Sequence, residues 1–226
     1  MSSRLMINAI ANYAGQAATV LVTFALTPAL LTHLGGSMYG VLMLAGALQG
    51  LGGLFDLGIA TSVVKYVAEH NARNNIAEIN RVVSTSFFLH LGMGALACLS
   101  IALIALFGLP FFNLQPSEAD AARISLLLAG VSLMISLPLG VLGSVLVGLR
   151  HYEVTNMVVV VQTLLAAAAT LLALQFGAGP AELMLINTLS LTLAYAVRAR
   201  LAFRRLPGLR LSTSLAGVST LRQIGS

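Results

Sequence analysis

The chain has 226 residues, of which 58% are hydrophobic and only 8% are charged, and its formal net charge is +5. Soluble domains carry about a quarter charged residues, so this composition excludes an ordinary water-soluble domain and places most of the surface against lipid. The single cysteine, Cys98, excludes a disulfide framework within the chain and is expected to be a small buried apolar residue.

Long apolar runs predict helices that cross a membrane. A spanning helix needs about 20 apolar residues and satisfies its own backbone hydrogen bonds, whereas the alternation of about 10-residue segments typical of a membrane barrel does not occur. The first run is too long for a cleaved signal peptide and is expected to be retained. We therefore predict an all-α, polytopic membrane fold with six spans, over residues 7–31, 39–64, 82–107, 124–149, 157–176 and 183–203.

Several residues predict where these helices end. Gly108 and Pro110 are expected to end the third helix. Ser117, followed three residues later by Asp120, resembles a capping box and predicts the start of the fourth. Pro180 suits the first turn of the sixth.

The basic residues are distributed unevenly between the two sides of the membrane. With the N-terminus in the cytoplasm, eleven of the twelve lysines and arginines fall on the cytoplasmic side, and only Arg123 falls outside. Short loops with this bias set the orientation, so both termini are predicted to be cytoplasmic. The positive charge is explained by topology, and no nucleic-acid partner is expected.

The first helix carries a row of polar side chains. Asn8, Asn12 and Gln16 are each four residues apart and therefore share one helix face. Such a row is costly against lipid, so it is expected to face protein or water. It can form the wall of a substrate cavity or supply hydrogen bonds between helices.

The second helix is rich in glycine and contains one carboxylate. Gly46 and Gly50 form a G-x-x-x-G pair, which predicts either close helix packing or a hinge. Asp56 lies late in the same run, where an ionisable residue indicates a functional site by default. The alternative is a structural ion pair with Lys65 or another basic residue of that leaflet.

Three other polar residues lie within later spans. His90, one turn after Ser86, is either a hydrogen-bonded packing residue or a proton carrier. Gln162 and Asn187 can line a cavity or pair with each other. The chain contains no C-x-x-C, H-E-x-x-H, P-loop or G-x-S-x-G motif, so we predict no enzyme, no catalytic residue, no metal and no cofactor.

The order of several short motifs resembles one transporter family. Residues 26–35 (LTPALLTHLG), followed by Tyr39 and Gly40, resemble the first hairpin of Wzx-type polysaccharide flippases. These belong to the MOP superfamily, which includes MATE transporters and lipid II flippases. Residues 56–62 (DLGIATS) are similar to the end of the second helix in that family, and residues 148–156 to its link between helices four and five.

The resemblance implies a flippase in the bacterial inner membrane. Its substrate would be an undecaprenyl-pyrophosphate-linked oligosaccharide for lipopolysaccharide or another surface polysaccharide. The family fold has two six-helix lobes around a cavity, so residues 1–210 would form one lobe and residues 211–226 a cytoplasmic tail or the approach to a seventh helix. A second six-helix lobe is then an expected partner, and transport by this chain alone is an open question.

The resemblance also assigns candidate roles and leaves alternatives. Arg123 would be the best candidate to meet the pyrophosphate, although topology and headgroup contact also explain it. A MATE-like antiporter for organic cations would use Asp56 as its membrane-embedded carboxylate. The third hypothesis is that the chain is a membrane assembly partner that transports nothing.

Overall fold

The computed structural model of the chain describes residues 2–56, 58–112, 114–217 and 220; of residues 2–19, 55 and 117 it describes the backbone alone. Within these ranges the chain is helical, with no strand. The helices are α1 Ser2–Gly50, α2 Gly52–Asp56, α3 Ile59–Ala72, α4 Ile76–Leu103, α5 Pro116–Gly148, α6 Tyr152–Gln175 and α7 Pro180–Arg205. A π-helical turn, Ile104–Gly108, and a 3₁₀ turn, Leu109–Phe112, continue α4, and a 3₁₀ turn, Thr213–Leu215, follows α7.

The exterior of the bundle is apolar. Phe24 is 74% exposed, Leu165 60% and Leu193 63%, each on a different helix. Exposing such side chains to water is unfavourable by roughly 25 cal/mol per Å², so this surface suits lipid. Five helical stretches in the described residues have the length and apolar character to cross a membrane: Val20–Leu54, Ile76–Phe112, Glu118–Gly148, Tyr152–Gln175 and Pro180–Arg205.

The prediction of an all-α fold is therefore confirmed for the described residues, and the five long apolar helices are compatible with a polytopic membrane protein. The count of six spans stays a prediction. The first two predicted spans fall within one continuous assignment, and their relation depends on Gly35. This residue has φ 74° and ψ 171°, which is not helical. Leu30 and Leu42, on either side of it, line the same cavity, as do Val22 and Gln49. A straight helix would hold the latter pair about 40 Å apart, so the chain folds back at Gly35.

The second predicted span, 39–64, is not one helix. It is interrupted at Leu51 and again at Gly58, which has φ 77°. The five-residue helix α2 lies between these two breaks. Glycine reaches positive φ at little steric cost, which accounts for the break at Gly58.

Helix ends extend beyond the apolar runs. Residues 65–81 lie between the second and third predicted spans, yet α3 continues to Ala72 and α4 starts at Ile76. At that start the Asn75 side chain accepts a hydrogen bond from the Glu78 N–H at 3.2 Å. Salt bridges Glu69–Arg73 and Glu78–Arg81 lie along these polar helical turns. An apolar run indicates which part of a helix lies in the hydrocarbon of the membrane. The helix itself can continue beyond the hydrocarbon with charged residues on its surface.

The predicted capping box at the start of α5 is wrong by two residues. The helix begins at Pro116, which has no N–H to satisfy, and Gln115 is the N-cap. The Glu118 carboxylate accepts hydrogen bonds from the Gln115 N–H at 3.2 Å and from the Ser37 hydroxyl at 2.8 Å. It thereby ties the reversal at Gly35 to the start of α5.

Helix α5 is the centre of the bundle and packs against α1, α3, α4 and α7. Its backbone approaches its neighbours closely at glycines. A Cβ added to Gly148 would lie 2.8 Å from the Val67 side chain, and one added to Gly94 of α4 would lie 3.0 Å from the Met134 Cα. The Gly46–Gly50 pair makes no such approach, because an added Cβ at either would meet no described atom within 4 Å. The packing contact predicted there is absent from the described structure.

The segment after α7 is held along the first turns of α4. Asn80 donates to the Gly208 carbonyl at 2.9 Å and accepts from the Arg210 N–H at 3.0 Å. Further along α4, Ser84 bonds to the backbone of residues 210 and 212, and Thr85 accepts from the Gly217 N–H at 3.3 Å. We call residues 206–217 the strap.

Candidate functional site

A cavity of about 380 Å³ lies at the middle of the bundle. The α5 residues that line it run from Leu133 to Val141. Leu133 belongs to one apolar cluster, with the second halves of α1 and α4, and Val141 belongs to another, with α3 and the start of α4. The cavity thus lies between two apolar clusters, at half the height of the helices. We call it the central cavity.

Asp56 and His90 meet on the wall of the central cavity. His90 is 2% exposed, and its Nε2 lies 3.2 Å from the Asp56 Oδ1. Its Nδ1 lies 2.9 Å from the Ser86 carbonyl oxygen, one helical turn earlier. The same Asp56 oxygen accepts the Ala60 N–H at 3.1 Å. Asp56 thus connects α2, the first turn of α3 and α4.

Lys65, named as one possible partner of Asp56, does not pair with it, whereas the alternative of a structural pair with a basic residue stays open. The ion-pair partner of Asp56 among the described residues is His90, whereas the Lys65 ammonium lies over the Tyr66 ring, 5.1 Å from the centroid. His90 does make the predicted kind of local hydrogen bond, to Ser86. No local pattern joins two residues 34 positions apart, because each had a plausible partner on its own helix.

A second cavity of about 390 Å³ lies between the two arms of the α1 reversal and helices α6 and α7. Gln162 and Asn187 both line it, with Thr163 and Thr170. No hydrogen bond joins Gln162 to Asn187 in the described structure, so of the two predicted roles the lining role holds. We call this the lateral cavity.

Gln49 lines both cavities and lies between them. Its Nε2 is buried and has no hydrogen-bond partner among the described atoms. A buried amide without a partner is costly, so Gln49 is ready to donate to a polar group in either cavity. Sequence reasoning passed over this residue, although a glutamine within an apolar, glycine-rich run was a detectable signal.

Tyr195 and Arg198 were also missed as members of the site. Tyr195 lines the central cavity, and the Arg198 guanidinium lies over its ring, 4.2 Å from the centroid. The stacking places a cation directly behind one wall of the central cavity.

Of the remaining predicted site residues, Arg123 does not join this group. Arg123 lines neither cavity, and its guanidinium pairs with Asp120 at 3.0 Å near the start of α5. Asn12 and Gln16 belong to the part of α1 whose side chains lie outside the described residues. Their predicted role in a cavity wall stays a prediction.

The two cavities offer hydrogen-bonding amide, hydroxyl and carboxylate groups at membrane depth. Pockets of about 300–1,000 Å³ with a few polar groups in apolar walls are typical of sites for small molecules. Comparison with protein-family models gives no match, and comparisons with curated proteins and with solved structures give none either.

Proposed function

We propose that this chain is a membrane transport protein that moves a lipid-linked oligosaccharide across the bilayer, as one lobe of a two-lobe assembly in a bacterial inner membrane with its termini in the cytoplasm. The observation that carries the proposal is the pair of cavities that share Gln49. Sugar hydroxyls need hydrogen-bond partners at a depth where lipid offers none, and amide and hydroxyl side chains provide them.

The walls also suit a substrate with a lipid tail. The lateral cavity presents Leu30, Leu42 and Leu183 beside its amides, so one cavity offers both apolar and polar contacts. Arg198, which lines neither cavity, stacks on the Tyr195 ring at the wall of the central cavity and adds positive charge on that side. It joins Arg123, which also lines neither cavity, as a candidate for attracting the pyrophosphate.

The proposal is tested by binding, which does not require that one lobe transports alone. The chain is placed in nanodiscs and titrated with a fluorescent undecaprenyl-pyrophosphate-linked oligosaccharide, with sugar-free undecaprenyl pyrophosphate as competitor. Gln162→Leu removes hydrogen bonds worth about 0.5–1.5 kcal/mol each, so Kd for the oligosaccharide lipid is expected to rise about two- to tenfold. Binding of the sugar-free lipid is expected to change little.

The matched control is Gln175→Leu, the same substitution at an exposed position at the end of α6 that lines neither cavity. Equal affinity for the lipids with and without sugar would overturn the proposal. An antiporter of organic cations is the second candidate, because Asp56 places a carboxylate in the central cavity. Cation uptake into proteoliposomes that is lost in Asp56→Asn, together with no binding of the oligosaccharide lipid, would favour it.

A further inference from the structure

The hydrogen bonds of His90 fix where its protons must be. The Ser86 carbonyl oxygen can only accept, so the His90 Nδ1 that lies 2.9 Å from it must carry a hydrogen. A neutral imidazole has only one N–H, which leaves Nε2 as a bare lone pair. That lone pair would face the Asp56 Oδ1 at 3.2 Å. Two acceptors at this distance repel each other unless a proton lies between them.

We propose that Asp56 and His90 together bind one exchangeable proton, and that loss of this proton releases α2 from α4 and changes the shape of the central cavity. The bound proton can reside on either partner. With the proton on Nε2 the pair is an imidazolium and a carboxylate, and with the proton on Oδ1 it is an imidazole and a carboxylic acid. Both forms keep the Nδ1 bond to Ser86 and the contact between the two helices.

Among the described residues that line the central cavity, Asp56 and His90 are the carboxylate and the imidazole that can hold this proton. Gln49 and Ser136 line the cavity near the pair but do not titrate, and the described α5 residues of the wall carry no ionisable group. From α7, Tyr195 faces the cavity with Arg198 behind its ring. Loss of the proton leaves a carboxylate against a lone pair in a half-buried site, and an uncompensated charge of this kind is costly.

The less constrained partner is Asp56. His90 is 2% exposed on α4, which the close approach at Gly94 holds against α5. Asp56 is 32% exposed and lies on a five-residue helix with a break at each end. Gly58, at φ 77°, is one of those breaks. Repulsion between the two groups is therefore expected to move α2 and to leave α4 in place.

Access to the pair is from the central cavity, because Asp56 and His90 both line it. A proton can therefore exchange with water in the cavity without unfolding of the bundle. This proton site goes beyond the proposed function, since it holds whichever solute the chain carries.

The test is the distance between α2 and α4 as a function of pH. Spin labels are placed at Leu54, which is 70% exposed on α2, and at Leu96, which is 60% exposed on α4, in a Cys98→Ala background in nanodiscs. The pH is varied from about 5 to about 9. We expect one short distance at low pH and a second, longer one at high pH. Above the midpoint, the ratio of short to long should fall about tenfold per pH unit, as for loss of one proton.

Asp56→Asn supplies the decisive variant. Its amide N–H can donate to Nε2 without a titrating group, so the short distance is expected to persist across the whole range. Asp120→Asn and His151→Gln, which alter ion pairs outside the cavity, are the matched controls and should respond as the unsubstituted chain does. A wild-type distance that does not change with pH, or the same change in Asp56→Asn, would overturn the proton site.

Discussion

Gly35→Ala is expected to disrupt the reversal between the two arms of α1. At φ 74° and ψ 171°, Gly35 occupies a region of backbone space that is essentially restricted to glycine. A Cβ there costs about 1–3 kcal/mol, although no described atom lies within 4 Å of it. The cost is therefore backbone strain alone. It is a substantial part of the roughly 5–15 kcal/mol by which proteins are stable.

The control is the neighbouring glycine. Gly36 also has open space around its Cβ position and lacks the positive φ, so Gly36→Ala tests the same change in side-chain volume without the strain. In a helix, alanine is favoured over glycine by about 1 kcal/mol. Gly36→Ala is therefore expected to be neutral or stabilising. Reversible unfolding in detergent, followed by steric trapping, measures both free energies.

A distance measurement shows what happens to the reversal itself. Spin labels at Phe24 and Ala47 are 23 residues apart, which corresponds to about 35 Å along a straight helix. In the folded-back chain the two positions flank residues that line one cavity, so the distance is expected to be well below that value. In Gly35→Ala a component near 35 Å should appear. Equal stability losses in the two variants, with no long component, would refute the role of Gly35.

Two further predictions concern close packing and the strap. Gly148→Ala would place its Cβ 2.8 Å from the Val67 side chain and is expected to cost about 1–3 kcal/mol of unfolding free energy by overpacking, measured by the same steric trapping. Asn80→Leu leaves the Gly208 carbonyl and the Arg210 N–H without their partners, at about 1–3 kcal/mol, so hydrogen exchange at Arg210 should accelerate about 5- to 150-fold, measured by mass spectrometry.

Each of these two substitutions has a control that makes the same replacement at another position in the chain. Gly46→Ala adds a methyl group where no described atom lies within 4 Å and should not destabilise the bundle. Asn71→Leu replaces an exposed asparagine at the end of α3 and should leave the strap protected. If Gly46→Ala is as harmful as Gly148→Ala, overpacking is not the cause. If exchange at Arg210 is unchanged in Asn80→Leu, the strap does not depend on Asn80.

The apolar runs predicted the helices well because membrane depth is encoded residue by residue. The fifth run, 157–176, overlaps α6 over nearly its whole length, and Pro180 begins α7 as expected. The errors occur where neighbouring residues determine the exact start or end of a helix. Ser117 and Asp120 form an acceptable capping pattern, yet Pro116 starts the helix earlier, so Gln115 and Glu118 take those roles.

The site was only partly predictable. Polar type alone identified Asp56, His90, Gln162 and Asn187 as residues that the membrane would not tolerate on a lipid face, and the structure puts them on cavity walls. The pairing of Asp56 with His90 was beyond local patterns, because it depends on how the broken segment around α2 packs against α4. The prediction of close packing at the G-x-x-x-G pair of Gly46 and Gly50 failed for a related reason. The motif permits close approach of a second helix but does not specify which helix that is.

The strap has a consequence for the order in which the chain folds. Asn80 and Thr85 on α4 take their partners from residues 128 to 132 positions later in the chain. Until α7 has been synthesised and placed, the polar edge of α4 can only hydrogen-bond to water. Contacts this distant in sequence form slowly because a long loop must close first. The end of α4 that is predicted to be cytoplasmic is therefore expected to reach its native hydrogen bonding last, when the strap packs against it.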